Sequence, residues 1–227
     1  MVRWGVVTFP GSNDDRDSTY CLETVLGQEV KQLWHKDSQL RGVDAIVLPG
    51  GFSYGDYLRC GAVARFSPVM AAVVRFANEG GPVLGMCNGF QILCETGLLP
   101  GALVRNQSLS FICGWVSVRV ETNRTSFTAG CRKGECLRIP IKHGEGCYVA
   151  DPDTLQTLET NRQIVFRYSN RDGQVLDSVN PNGSIGNIAG VTNKAGNVVG
   201  LMPHPEHAVD SVFGSDDGRK LFNSILL

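Results

Sequence analysis

The segment that most restricts the fold is Val83-Leu84-Gly85-Met86-Cys87-Asn88-Gly89-Phe90-Gln91-Ile92-Leu93. A short apolar run enters Gly-x-Cys-x-Gly, and a helical apolar pattern leaves it. That is a strand-to-helix turn, tight enough to exclude side chains on both sides of the cysteine. Such a turn puts its central residue at the carboxyl edge of a sheet, where open α/β folds hold ligands. The following helix offers free backbone N–H groups and its positive end, which favour a thiolate and an oxyanion. Read as chemistry, Cys87 is a nucleophile. Read as scaffold, it is a buried cysteine in a connection.

The surrounding pattern repeats the same alternation. Strands are predicted over 2–9, 29–33, 45–48 and 82–86, and helices over 17–26, 62–78 and 88–95, with Pro68 denting the second helix. Strand and helix in alternation argue for a parallel sheet covered on both faces. After residue 110 the character changes. Strands are predicted over 111–120, 137–141, 163–168, 188–192 and 198–202, with a hairpin turn at 193–197 and a closing helix over 217–227. The expected class is α/β: an open, mostly parallel sheet flanked by helices, with additional antiparallel or mixed strands. At 227 residues, without repeats or a low-complexity linker, the chain is expected to form one domain.

Charge and cysteine usage narrow the partners. A net charge of -1 argues against a nucleic-acid-binding surface, and 42% hydrophobic residues argue against disorder. No apolar run is long enough to span a bilayer, and no secretory segment opens the chain. Eight cysteines in a chain of this length fit reduced thiols in the cytoplasm better than a secreted scaffold.

A thiol nucleophile needs a base. His204 lies in Met202-Pro203-His204-Pro205-Glu206, directly after a predicted strand and stiffened by prolines on both sides. Glu206 is close enough to orient the imidazole. Cys87, His204 and Glu206 therefore form the expected nucleophile, base and orienter. His207 competes for the base role, but its position reads as surface; His35 reads as structural, and His143 as part of a glycine-rich turn. Pro49-Gly50-Gly51 follows another central strand, and its N–H groups suit an oxyanion. No phosphate-loop spacing is present, so no ATP site is expected in this chain. Cys131, Cys136, His143 and Cys147 have an admissible but irregular zinc spacing, and no metal is expected there.

Several long segments carry a resemblance. They are 50–59 (GGFSYGDYLR), 85–93 (GMCNGFQIL), 138–146 (RIPIKHGEG), 180–184 (NPNGS), 187–190 (NIAG) and 202–206 (MPHPE). Over nearly its whole length the chain resembles the class I glutamine amidotransferases, and among them the glutaminases of purine biosynthesis. The resemblance implies attack of Cys87 on the side-chain amide of glutamine, a glutamyl thioester, and hydrolysis by water that His204 activates. It implies an oxyanion hole near Gly51 and Asn88, with Gly50 in the same loop and Gln91 beside the glutamine pocket. It implies ammonia transfer to a large synthetase subunit. There ATP and magnesium drive conversion of formylglycinamide ribonucleotide to its amidine, with a small third subunit in the complex. In that family an arginine usually follows the proline-glutamate pair, where this chain has His207. Three other readings stand beside this one: a stand-alone cysteine amidase, a glutaminase serving a different synthetase, and a binding module with a structural cysteine.

Overall fold

The computed structural model describes residues 1–227. Strands β1 (Arg3–Thr8), β2 (Glu29–Trp34), β3 (Ala45–Leu48) and β4 (Val83–Met86) alternate with helices α1 (Asp15–Tyr20), α2 (Pro68–Asn78) and α3 (Asn88–Glu95). Then come β5 (Ala102–Val104), β6 (Ile112–Val120), β7 (Cys136–His143), β8 (Cys147–Val149) and α4 (Pro152–Thr160). The chain closes through β9 (Ile164–Ser169), β10 (Ile188–Thr192), β11 (Val198–Leu201) and α5 (Arg219–Asn223).

Nine strands form one sheet in the order β2-β1-β3-β4-β11-β10-β9-β6-β7. The first five are mutually parallel, and every pair from β11 to β7 is antiparallel. The expected mixture is thus a single continuous sheet. β5 and β8 pair separately. The expected parallel core forms because its strands are apolar on both faces. Trp4 and Val6, Ala45 and Val47, and Leu84 and Met86 enter one core. Val7, Ile46 and Leu48, and Val83 enter the other. Alternate residues of a strand point to opposite faces, so a continuous apolar run fills two cores at once. Each Val, Leu, Ile or Met among them contributes about 1.5–3 kcal/mol when fully buried.

Two local expectations change. Pro68 does not dent a helix; it opens one. Ser67 is extended (φ -64°, ψ 140°), and Pro68 takes the first turn of α2, where its missing N–H leaves no bond unmade. The helix expected over 17–26 is α1 followed by one wider π-type turn over Cys21–Val25. The hairpin at 193–197 holds. Asn193 Oδ1 accepts from Gly196 N (3.0 Å) and Val198 N (3.2 Å), and the chain returns as β11 beside β4.

Candidate active site

Four connections at the carboxyl ends of parallel strands converge. The segment after β1 carries Asp14, the loop after β3 carries Gly50 and Gly51, the turn after β4 carries Cys87, and the loop after β11 carries His204 and Glu206. β7 reaches the same place from the far edge of the sheet. Its Pro140 carbonyl accepts the His204 N–H at 2.8 Å, and its Lys142 carbonyl lies 3.8 Å from Cys87 Sγ.

Cys87 holds φ 51° and ψ -106°, a conformation that costs a non-glycine residue on the order of 1–3 kcal/mol. The cost is sustained because the turn is clamped from both ends. Cys87 N–H donates to Leu201 O at 2.8 Å, and a Cβ at Gly89 would run into the Leu48 carbonyl oxygen. Helix α3 therefore starts pressed against the end of β3, and only glycine permits it. Gly89→Ala is expected to destabilise the protein by about 3 kcal/mol, read as a lower denaturation midpoint at unchanged slope. A variant as stable as the parent would show that the turn can relax.

His204 is wholly buried. Its Nδ1 meets Glu206 Oε1 at 2.6 Å, which leaves Nε2 for the sulfur. Nε2 is buried and has no conventional hydrogen-bond partner, while the Cys87 sulfur is close enough to act on the ring electrostatically. Burial pushes the imidazole pKa down; the Glu206 carboxylate and then the Cys87 sulfur outweigh it and raise the pKa to about 10. The site thus favours the protonated ring, so the imidazole can take the Cys87 proton and later deliver it to a leaving group.

A cavity of about 230 Å³ opens over this pair, with Gly51, Cys87, Gln91, Lys142, His143 and His204 in its wall. Gly51 sits at φ 141° in an isolated bridge with Ser12. The bonds of that bridge run from Phe52 N to Gly11 O (2.8 Å) and from Asn13 N to Gly50 O (3.2 Å), which leaves the Gly51 N–H outside the ladder. Asn88 is the first residue of α3, so its N–H has no intrahelical acceptor. Gly50 is needed for closeness: a Cβ there would press on Asp14 and on His204 Cε1. The Asn88 and Gln91 side chains brace the floor. Asn88 Oδ1 accepts from Ser53 N (3.2 Å), Asn88 Nδ2 donates to Gln91 Oε1 (2.8 Å), and Gln91 Nε2 donates to Glu145 O (2.6 Å).

The sequence family agrees with this geometry. Residues 1–220 match the model of the CobB/CobQ-like glutamine amidotransferase domain. The chain belongs to this glutamine amidotransferase family. It is 57% identical over 225 residues to the phosphoribosylformylglycinamidine synthase subunit PurQ of Moorella thermoacetica, covering 99% of this chain and 95% of that one. The subunit of the same name from Synechocystis is 56% identical over 224 residues, covering 99% and 100%. Among solved structures, a chain of PurLQS from Thermotoga maritima superposes with a TM-score of 0.87 at 48% identity, covering 100% of this chain and 98% of that one. A putative GMP synthase subunit from Thermoplasma acidophilum, at 18% identity and a TM-score of 0.60, shares the fold.

The amidotransferase site holds residues that sequence reasoning missed. Asp14 is 2% exposed, yet it is charged. Burial opposes that charge, but hydrogen bonds and charges from His207, His204 and Lys142 hold its carboxyl well below the usual carboxylate range. It pairs with Lys142, and it lies 3.2 Å from His207 Nε2 and 3.6 Å from His204 Nδ1. The available signal was position: residues just after β1 lie at the same sheet edge as Cys87. His207 is therefore not the surface histidine its position suggested; it packs against Asp14 at 5.5 Å between ring centroids from His204. His35 supports the loop after β3 by bonding Tyr54 Oη at 2.6 Å. The one group of three or more metal-ligating side chains that converges is Asp14, His204, Glu206 and His207; Cys131, Cys136, His143 and Cys147 do not.

His143 also lines the cavity, held as a neutral ring. Both Asn106 amide hydrogens go to carbonyls, of Ser110 and His143, so Asn106 Oδ1 faces His143 Nδ1 at 3.2 Å and accepts its proton. Burial, then the positive charge of His204, pushes the His143 pKa down to about 4 from 6.5. The sign follows. As pH falls below the ordinary histidine value the unfolded chain binds a proton that the folded chain refuses, so stability drops. The loss from this group is about 2 kcal/mol between about pH 7 and 5. His204, its pKa raised in the fold, works the other way: its stabilisation still grows as pH falls through 6.5 and is complete only below that, so it offsets part of the loss. Urea denaturation at both pH values checks this: His143→Gln should lose most of the acid sensitivity, and an unchanged difference would place it elsewhere.

Proposed function

We propose that this chain is the glutaminase subunit of a phosphoribosylformylglycinamidine synthase, with Cys87 as nucleophile, His204 as base and Glu206 as orienter. The observation that carries the reading is the strained, glycine-clamped Cys87 facing a buried imidazole whose other nitrogen is held by Glu206. The Cys87 thiol gives its proton to His204 Nε2, and the sulfur bonds to the side-chain amide carbon of glutamine. The carbonyl oxygen becomes an oxyanion, met by the N–H groups of Gly51 and Asn88. His204 returns the proton to the amide nitrogen, the C–N bond breaks, and ammonia leaves a glutamyl thioester. His204 then takes a proton from water as hydroxide adds to the thioester carbon. Glutamate departs and the sulfur recovers its proton. Gly50 keeps the oxyanion loop close to the imidazole, and Gln91 with Asn88 fixes the wall against which glutamine lies.

Ammonia in bulk water at neutral pH is mostly ammonium and no nucleophile. An enclosed route to the synthetase subunit keeps it reactive. ATP and magnesium belong on that partner, where they activate the formylglycinamide oxygen that ammonia displaces; a small third subunit completes the assembly. No helix is long and apolar enough to cross a membrane. The proposed compartment is the cytoplasm, where the thiol stays reduced.

The test is a glutaminase assay with and without the synthetase subunit, with thioester trapping by acid quench. Low basal turnover, stimulation by the partner and a glutamyl adduct on Cys87 are expected. Robust turnover that ignores the partner would favour a stand-alone amidase, and an adduct elsewhere would displace Cys87.

A further inference from the structure

Behind the proposed catalytic pair, four side chains face one another. One donor atom each from Asp14, His204, Glu206 and His207 lies within 4.8 Å of all the others. Three of these residues are almost entirely buried: Asp14 at 2%, His204 at 0% and Glu206 at 3% exposed. His207 is the outermost. Two imidazole nitrogens and two carboxylate oxygens make a borderline donor set of the kind that takes zinc.

The spacing fits that ion. A tetrahedral zinc with bonds of about 2.0–2.2 Å keeps its donors about 3.3 Å apart. His207 Nε2 lies 3.2 Å from Asp14 Oδ1 and 3.7 Å from Glu206 Oε1. His204 Nδ1 lies 3.6 Å from Asp14 Oδ2. The 2.6 Å between His204 Nδ1 and Glu206 Oε1 is too short for two ligands of one ion; it is a hydrogen bond, with a proton between the two atoms. A metal in place of that proton opens the gap. Glu206 Oε2 is buried without a hydrogen-bond partner, so the carboxylate can turn without breaking another bond.

An approach is present as well. A second cavity of about 390 Å³ has His204, Glu206 and His207 in its wall, together with Asp17, Tyr20 and Lys142. It shares His204 and Lys142 with the cavity over Cys87, but Cys87 lines only the latter. An ion can therefore reach the cluster without passing over the sulfur.

We propose that Asp14, His204, Glu206 and His207 form a binding site for a divalent ion of the zinc class, and that filling it switches glutamine hydrolysis off. Starting from the neutral ring that the base role requires, the metal bonds to His204 Nδ1, the N–H bond there breaks and that proton leaves to solvent, while Nε2 takes up a proton from solvent, so the ring stays neutral with its one proton on Nε2. That nitrogen then has no free lone pair and cannot take the Cys87 proton. Lys142, paired with Asp14, orients that ligand from outside the first ring of donors. The binding half stands on geometry alone; the switching half rests on His204 being the base.

Cobalt(II) is the probe, added to chelator-treated protein as wild type, Cys87→Ala and His207→Arg. One cobalt per chain with tetrahedral visible absorption is expected in wild type and in Cys87→Ala. His207→Arg is expected to bind at least about 100-fold more weakly, since even orienting partners of metal ligands are worth 10–100-fold. Zinc should inhibit wild-type glutaminase reversibly to EDTA, with an inhibition constant shifted by the same factor in His207→Arg, each measured against its own metal-free rate. Equal cobalt affinity in wild type and His207→Arg overturns the site. So does loss of binding in Cys87→Ala with a sulfur-to-metal charge-transfer band, which would put the ion on the thiol. Cobalt bound in the His207-dependent way with hydrolysis undiminished overturns the switching half, and with it the base role of His204.

Discussion

Cys87→Ala is expected to abolish glutamine hydrolysis, with a fall on the order of 10⁴-fold or more both alone and with the synthetase subunit. The size of the effect follows from what remains. The Gly51 and Asn88 N–H groups and the cavity wall survive the change, but no bond to the amide carbon can form. Folding should be little affected: alanine bears the same positive φ as cysteine, and the clamping bond from residue 87 to Leu201 is made by the backbone. The complex should also keep its synthetase reaction when ammonia is supplied from solution, because that chemistry needs no thiol. Circular dichroism, glutaminase assay and ammonia-dependent synthesis together check this. A variant that still releases glutamate at a tenth of the parental rate would sink the nucleophile assignment.

His204→Ala comes second, with an expected fall of about 10³-fold or more at neutral pH. It carries a complication. Glu206 is 3% exposed, and removing the imidazole leaves its carboxylate buried beside the Asp14–Lys142 pair without a counter-charge of its own. An orphaned buried charge costs about 3–5 kcal/mol, so the single variant is expected to lose stability as well as rate. The double variant His204→Ala/Glu206→Gln removes the orphan and separates the two effects. It should regain stability while staying inactive. Activity that returned with stability would mean that the imidazole is a packing element and that another group takes the thiol proton.

Most of the parallel half was legible because its strands are short unbroken apolar runs, and Gly85-x-Cys87-x-Gly89 marks one strand end unambiguously. His204 and Glu206 were legible for a similar reason, as a proline-braced pair after a strand. What escaped was whatever depends on tertiary approach. Asp14 sits among Asp15 and Asp17, and in one dimension the run reads as acids at a helix start. Its burial is visible only once β1 and β7 bring Lys142 to it. Helix α4 was missed although Asp151 caps it through Thr154 N at 2.8 Å and Pro152 opens it. Its buried face is little more than Leu158, too narrow a stripe for periodicity to reveal. His207 was misjudged because a histidine two residues past a loop proline has no sequence mark of what it packs on.

The position of β11 has a consequence for biosynthesis. Among the last strands to be made, it inserts between β4 and β10, in the interior of the sheet rather than at an edge. The proposed nucleophile and base are more than a hundred residues apart along the chain, and they meet only when that late strand docks. A nascent or truncated polypeptide ending before residue 198 displays a thiol with no base beside it. With His204 as the proposed base, glutamine breakdown is coupled to completion of the fold, and an unfinished subunit is expected to release no stray ammonia.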